Sequence, residues 1–278
     1  MFPFLTQHSE IKHAESLPHA GLSRFTRPLA AWQTRRPWLW AIVVGLGGLI
    51  LTAFGSGFSQ ARHLDPLSAT YAQAAFVALS AIAGLVIMWR TRPSLADYGF
   101  RFPLHVDRGL WLLPLVAVPV VLVAFVGIQV TPTQAVAYGV LAVCVGFNEE
   151  IWFRGLLLAT LRRLGTRRAI IGASVVFGAL HLTNFFAGRP PLYLGLQFAF
   201  ACLVGFVLAE IVAITGSLWV GIAWHFLYDW AAFSTGDELT TAALTGIATT
   251  TALLAAFAVW LWHKLPAEDR QPAMISAG

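Results

Sequence analysis

Runs of about twenty apolar residues recur eight times along this chain, and no other property limits its fold so tightly. A helix of that length spans a hydrocarbon layer about 30 Å thick, and inside such a layer every backbone amide must be satisfied within its own segment. The runs are roughly Pro37–Phe58, Ala69–Trp89, Gly109–Val130, Gln134–Leu161, Ala169–Ala187, Leu192–Ile214, Ser217–Ser234 and Ala242–Trp262. They predict an all-α fold, a multi-pass membrane helical bundle of about eight transmembrane helices. No strand pattern, internal repeat or second-domain linker interrupts them. Residues 37–262 are therefore expected to form one membrane domain, with its chemical core at about 134–234. Residues 1–36 and 263–278 are expected to be cytosolic tails, and the polar N-terminal stretch does not read as a cleavable signal peptide.

Charged residues make up 11% of the chain, against roughly 25% in a soluble domain. The formal net charge of +5 would suit nucleic acid if the basic residues formed a patch. They lie instead between the spans and in the N-terminal tail, so no nucleic-acid partner is expected. Their distribution reads as topology. With the N-terminus inside, the inner segments hold fifteen Lys and Arg, among them Arg90, Arg92, Arg101, Arg162, Arg163 and Lys264, while the outer loops hold only Arg62 and Arg189. That bias places both termini in the cytoplasm and the protein in a membrane, expected to be a bacterial inner one. The two cysteines, Cys144 and Cys202, lie inside apolar runs and read as small core residues. Tryptophans near helix ends, such as Trp38, Trp89 and Trp262, read as interface anchors.

Against this background a few ionisable residues stand out. Glu149, Glu150, Arg154, Glu210 and Asp229, with His181 and His225, lie within the spans, where an unpaired charge costs several kcal/mol. Residues four apart share a helix face, so Glu150 and Arg154 are expected to form an ion pair, leaving Glu149 to find a partner on another helix. The same spacing puts His225 and Asp229 on one face, where the carboxylate could fix the imidazole tautomer. Asn184, three residues after His181, could orient that ring. At about 1.5 Å per residue, Glu149, His181 and Asp229 each lie about 18–20 Å from the inner end of their helices, with His225 a turn nearer it. Four polar groups on three helices thus fall in one layer. Glu210 is closer to the inner end of its helix and is expected to be an interfacial, solvated carboxylate. Gly178, before His181, would let a neighbouring helix approach closely.

A glutamate and two imidazoles around a water form a set that can hydrolyse an amide without a covalent intermediate. The carboxylate takes a proton from water, and an imidazole N–H steadies the oxyanion that follows. Nucleophilic catalysis fits less well, because Ser174, Thr183 and Ser217 lack a Gly-x-Ser-x-Gly setting or a suitably spaced histidine. Two histidines and a carboxylate can also bind zinc, which would draw on Glu149, His181 and His225, although no His-Glu-x-x-His occurs. No other cofactor is expected. A proton-coupled transporter and a non-catalytic scaffold or immunity protein are alternatives from other classes. No matched pair of Gly/Pro-broken helices supports the first.

Three motifs carry a resemblance: Glu149-Glu150-Ile151-Trp152-Phe153-Arg154, Phe177 to His181, and His225 to Asp229, with the run Thr215-Gly216-Ser217-Leu218-Trp219 before the last. In type and order they resemble the CPBP family, the CAAX proteases and bacteriocin-processing enzymes also called ABI or intramembrane glutamic endopeptidases. The resemblance covers about Ala142 to Trp230. It implies an intramembrane endopeptidase acting on membrane-associated proteins or peptides, including prenylated CAAX proteins. Glu149 would be the general base with His181 beside it, His225 and Asp229 would stabilise the oxyanion, and Glu150 and Arg154 would support the catalytic helix. The aspartate at 229 departs from the asparagine usual in the prenyl-protein proteases.

Overall fold

The computed structural model describes residues 35–92, 94–103, 106–236 and 238–265; the two expected tails lie almost wholly outside them. Eight long helices account for the apolar runs: α1 (Pro37–Ala61), α2 (Pro66–Thr91), α3 (Leu113–Val126), α4 (Pro132–Glu149), α5 (Thr166–His181), α6 (Pro191–Thr215), α7 (Trp219–Thr235) and α8 (Thr241–Trp262). The fourth continues beyond Glu149 as a π-helix over Glu150–Leu157 and an α-turn over Leu158–Leu161. Among the described residues there is no strand. Seven stretches are long and apolar enough to cross a membrane by length and composition, and α7 is shorter, at 17 residues. The chain is an integral multi-pass membrane protein.

Two spans differ in length from the sequence expectation. The fourth runs for 33 residues, Pro132–Leu164, because the π-helix carries it through the charged cluster without a break. The third is α-helical only from Leu113, behind a 3-10 segment at Val106–Leu112.

The starts of the helices follow local chemistry. Asp65 caps α2, its Oδ1 accepting from the N–H groups of Leu67 (3.0 Å) and Ser68 (3.1 Å), with Pro66 at the first helical position. Thr131 and Gln134 form a reciprocal capping box ahead of Pro132 on α4. Thr240 caps α8 through the Ala243 N–H. Each side-chain acceptor satisfies an amide that has no partner within the first turn. Within the spans, hydroxyls such as those of Thr91, Ser174 and Thr215 turn back onto the carbonyl four residues earlier, so they need no partner in lipid.

Large apolar side chains stay exposed on the outside: Ile42, Ile82, Val120 and Val259 are each more than half accessible. That surface suits hydrocarbon rather than water. Inside, α4 packs between α2 and α7, while α5 pairs with α6 and α3 with α8. All eight residues of the π-helix are buried. Trp152 fixes this stretch: its indole N–H donates to the Ser80 carbonyl of α2 at 3.1 Å, and its ring lies against the glycine face of α1 and α2. Trp152→Ala removes both contacts and is expected to lower stability by about 3 kcal/mol, read as an earlier thermal unfolding transition of the purified protein in detergent.

Candidate active site

The Glu150 side of the site begins with the π-helix. Its wider turn is a common local distortion at functional positions, and here it turns both Glu150 and Arg154 inward. Arg154 Nη1 lies 3.0 Å from Glu150 Oε1, with side chains 2% and 0% exposed. The ion pair expected from the spacing is present. Its guanidinium also stacks on the Phe177 ring of α5, 4.4 Å from the centroid.

From α7, His225 enters between the two adjacent glutamates. Its Nδ1 is 2.9 Å from Glu150 Oε1 and its Nε2 is 3.1 Å from Glu149 Oε2. Glu149 thus finds its partner on another helix. An ionised carboxylate only accepts, so a ring held between two of them donates from both nitrogens. The result is an alternating line: Glu149, His225, Glu150, Arg154. Gly221 makes this approach possible, because a Cβ there would lie 2.5 Å from Glu150 Oε2. The neighbouring glutamates differ sharply in access. Glu149 is 20% exposed and Glu150 is fully enclosed, so only the first can meet a substrate.

His181, the last residue of α5, reaches the same centre across Phe177. Its Nδ1 lies 2.9 Å from the Phe177 carbonyl, which as an acceptor fixes the proton on Nδ1 and leaves the Nε2 lone pair free. The Phe177 ring meets the His181 ring at 4.7 Å and the His225 ring at 6.1 Å between centroids, both edge to face. One aromatic therefore spaces the two imidazoles and covers Arg154. Gly178 beside it lets α5 and α6 close up, as anticipated: a Cβ would press on Cys202 and on the Phe198 carbonyl.

Three sequence expectations need correction. Asn184 does not orient His181; its amide donates to Gln197 Oε1 of α6 at 2.8 Å, because the 3-10 turn after His181 swings it away. Asp229 does not fix the His225 tautomer, since both ring nitrogens already face the glutamates of α4. The aspartate lies one helical turn beyond His225 on α7, and its Oδ2 is buried with no hydrogen-bond partner among the described residues. Glu210 is not solvated: its side chain is fully buried, and neither carboxyl oxygen has a hydrogen-bond partner among the described residues. Depth along the helix axis did not reveal which way its face turned.

A metal needs a nitrogen lone pair from each histidine, and both nitrogens of His225 are engaged by carboxylates. Among the described residues, no group of three or more His, Cys, Asp or Glu is arranged to hold a metal ion. Glu149, His181 and His225 as placed do not fit a shared ion. What sequence reading underweighted is Phe177, whose place one turn before His181 was the available signal, and Glu150, whose second contact lies on a distant helix.

A family model described as Rce1-like, type II CAAX prenyl endopeptidase, matches residues 131–231, just over a third of the chain. That stretch runs from the cap of α4 through most of α7 and contains every side chain of the alternating line. Comparison with curated proteins and with solved structures gives no match.

Gly221→Ala is expected to push Glu150 off His225 while leaving the membrane fold intact, so that the variant purifies as a folded protein. The expected readout is a change in the His225 ring-proton resonances without loss of helical circular dichroism.

Proposed function

We propose, from the premise that residues 131–231 are an Rce1-like domain, that this protein is an intramembrane endopeptidase in which Glu149 activates water. The family match supports a CAAX-type membrane endopeptidase acting on membrane-associated proteins. The roles of individual residues are our reading, and the observation that carries it is the clamp of His225 on Glu149 with Glu150 and Arg154 behind it.

In this reading Glu149, the accessible member of the adjacent pair, takes a proton from a water that attacks the scissile carbonyl carbon. His181 supports the attack through its free Nε2, which can accept from the same water. As Glu149 becomes neutral, its hold on the His225 Nε2–H weakens, and that donor turns to the oxyanion forming on the substrate. Asp229, one turn along α7, helps to hold the imidazolium charge. Collapse of the tetrahedral intermediate breaks the C–N bond, and Glu149 returns its proton to the leaving amine. The products are a carboxylic acid and a free amine, and transfer of the remaining water proton from the acid to the amine on release leaves a carboxylate and an ammonium. Glu150 and Arg154 take no proton in this scheme. They position His225.

The substrate is a peptide segment of a membrane-associated protein, with prenylated CAAX ends as the leading class. The basic ends of the helices face the cytoplasm in this proposal, which puts the site within reach of lipid-anchored cytoplasmic chains.

Activity of the purified chain on prenylated and unprenylated peptides, each with and without chelator, tests the proposal. Glu149→Gln is expected to lower kcat by about 10²–10⁴ and His225→Ala by about 10²–10³, with no effect of chelator. A folded Glu149→Gln protein that cleaves at the parent rate overturns it. Loss of activity on chelation, restored by zinc, would establish a metal route in place of this one.

A further inference from the structure

A cavity of about 370 Å³ opens at the end of the bundle where α2, the fourth span and α6 finish, and Glu149 is not part of its lining. Its lining includes Arg92, Arg101, Arg154 and Arg162, with Asp97 as the one acidic side chain among the described residues. None of these arginines except Arg154 has an assigned task in the site above.

The walls are built, not loose. Arg101 Nε donates to the Gly216 carbonyl at 2.8 Å, and the Ser217 hydroxyl donates to the Arg101 carbonyl at 2.7 Å, pinning the Leu95–Tyr98 loop region to the α6–α7 turn. Arg92 Nη1 donates to the Asp97 carbonyl at 2.7 Å while its guanidinium stacks on Tyr98. Arg162 Nη2 donates to the Val212 carbonyl at 3.3 Å. Each guanidinium is thus anchored through one nitrogen to a backbone oxygen and keeps other donors to spare. Among the described residues, no carboxylate lies within ion-pair distance of Arg92, Arg101 or Arg162. The Asp97 carboxylate accepts from the Ser94 N–H and caps its own turn.

The floor supplies an independent observation. Arg154 is 2% exposed, and although Nη1 is paired with Glu150 by distance, neither Nη1 nor Nη2 makes a hydrogen bond among the described residues. A buried guanidinium with unused donors, lining a cavity with three further guanidiniums, has no partner so well suited as an oxyanion. With Arg154 offset by Glu150, the guanidiniums of Arg92, Arg101 and Arg162 against the Asp97 carboxylate leave a net charge of about +2 among the described residues. A phosphate group carries about −1.5 to −2 when it is a monoester, and a lone carboxylate falls short of that.

We propose that this cavity binds a phosphate group, either on an anionic lipid headgroup or as a free phosphate. Its level favours the lipid. Arg92 caps α2 and Gly216 caps α6, so the cavity lies where the helices end, beside Trp89 and Phe102, which are 64% and 90% exposed. Exposed aromatics next to arginines mark the headgroup layer of a membrane.

The test uses the full chain, purified in neutral detergent and in phosphatidylcholine nanodiscs, at constant ionic strength. Thermal unfolding is followed against inorganic phosphate in detergent, and against added phosphatidic acid in nanodiscs. A saturable upward shift is expected in at least one arm, with the half-saturating concentration raised at least tenfold in Arg162→Gln and unchanged in Arg62→Gln at the opposite end. Response to phosphatidic acid alone assigns a lipid headgroup; response to both assigns the phosphate group itself. Should Arg162→Gln not fold, Arg101→Lys keeps the charge, loses the planar fork, and is expected to weaken the same response. No saturable shift in either arm, or equal shifts in the parent and the Arg162→Gln protein, overturns the proposal. So does saturable binding of a short peptide acid, but not its amide, with no effect of phosphate.

Discussion

Charge cannot stand alone in hydrocarbon, and the structure around α4 is the arrangement that this constraint leaves open. Glu149, His225, Glu150 and Arg154 alternate carboxylate and cationic group along one line. Isolated, each ion would cost several kcal/mol at this depth; in sequence, each is neighboured by its complement. The packing serves that line. Gly221 brings α7 onto α4, the π-helix turns Glu150 and Arg154 inward, and Phe177 from α5 lays its face over the guanidinium and its edges against the two imidazoles.

The line has unlike ends. At one end Glu149 is partly exposed; at the other, Arg154 lines the basic cavity. Two adjacent glutamates thus acquire different surroundings without any difference in side-chain chemistry. A rotation of about 100° along the helix is enough to make one of them accessible and to bury the other as a fixed acceptor.

Much of the fold was legible in the sequence, because apolar length and the absence of charge are one-dimensional properties. Eight helices follow from them, and so does the Glu150–Arg154 pair, which needs only a spacing of four. Axial rise puts Glu149, His181 and Asp229 at one height with His225 a turn nearer the inner end, and of these four groups Glu149 and His225 are in direct contact. What the sequence did not disclose depended on azimuth. Glu210 lies at the expected height but faces the interior, and Asn184 turns to Gln197 because the helix tightens into a 3-10 segment after His181. His225 was paired on paper with Asp229, its neighbour on the same face, yet it bonds to residues 75 and 76 positions away that only helix crossing brings near. The single-sequence pattern also gave no sign of the π-helix, since its residues read equally well as α.

That π-helix has a consequence for how the gene can vary. An added residue in a helix advances everything after it by about 100°, and a π turn absorbs such an advance locally. The first half of the fourth span is therefore phased to meet α2 and α7, and the second half, from Glu150 on, is phased to keep α2 and to meet α1 while Glu150 still reaches His225 of α7. Loss of one codon between Glu149 and Leu157 would leave hydropathy and length almost untouched while rotating the two halves out of register. Substitution is tolerated on the lipid face of this helix; a change in residue number at its midpoint is not.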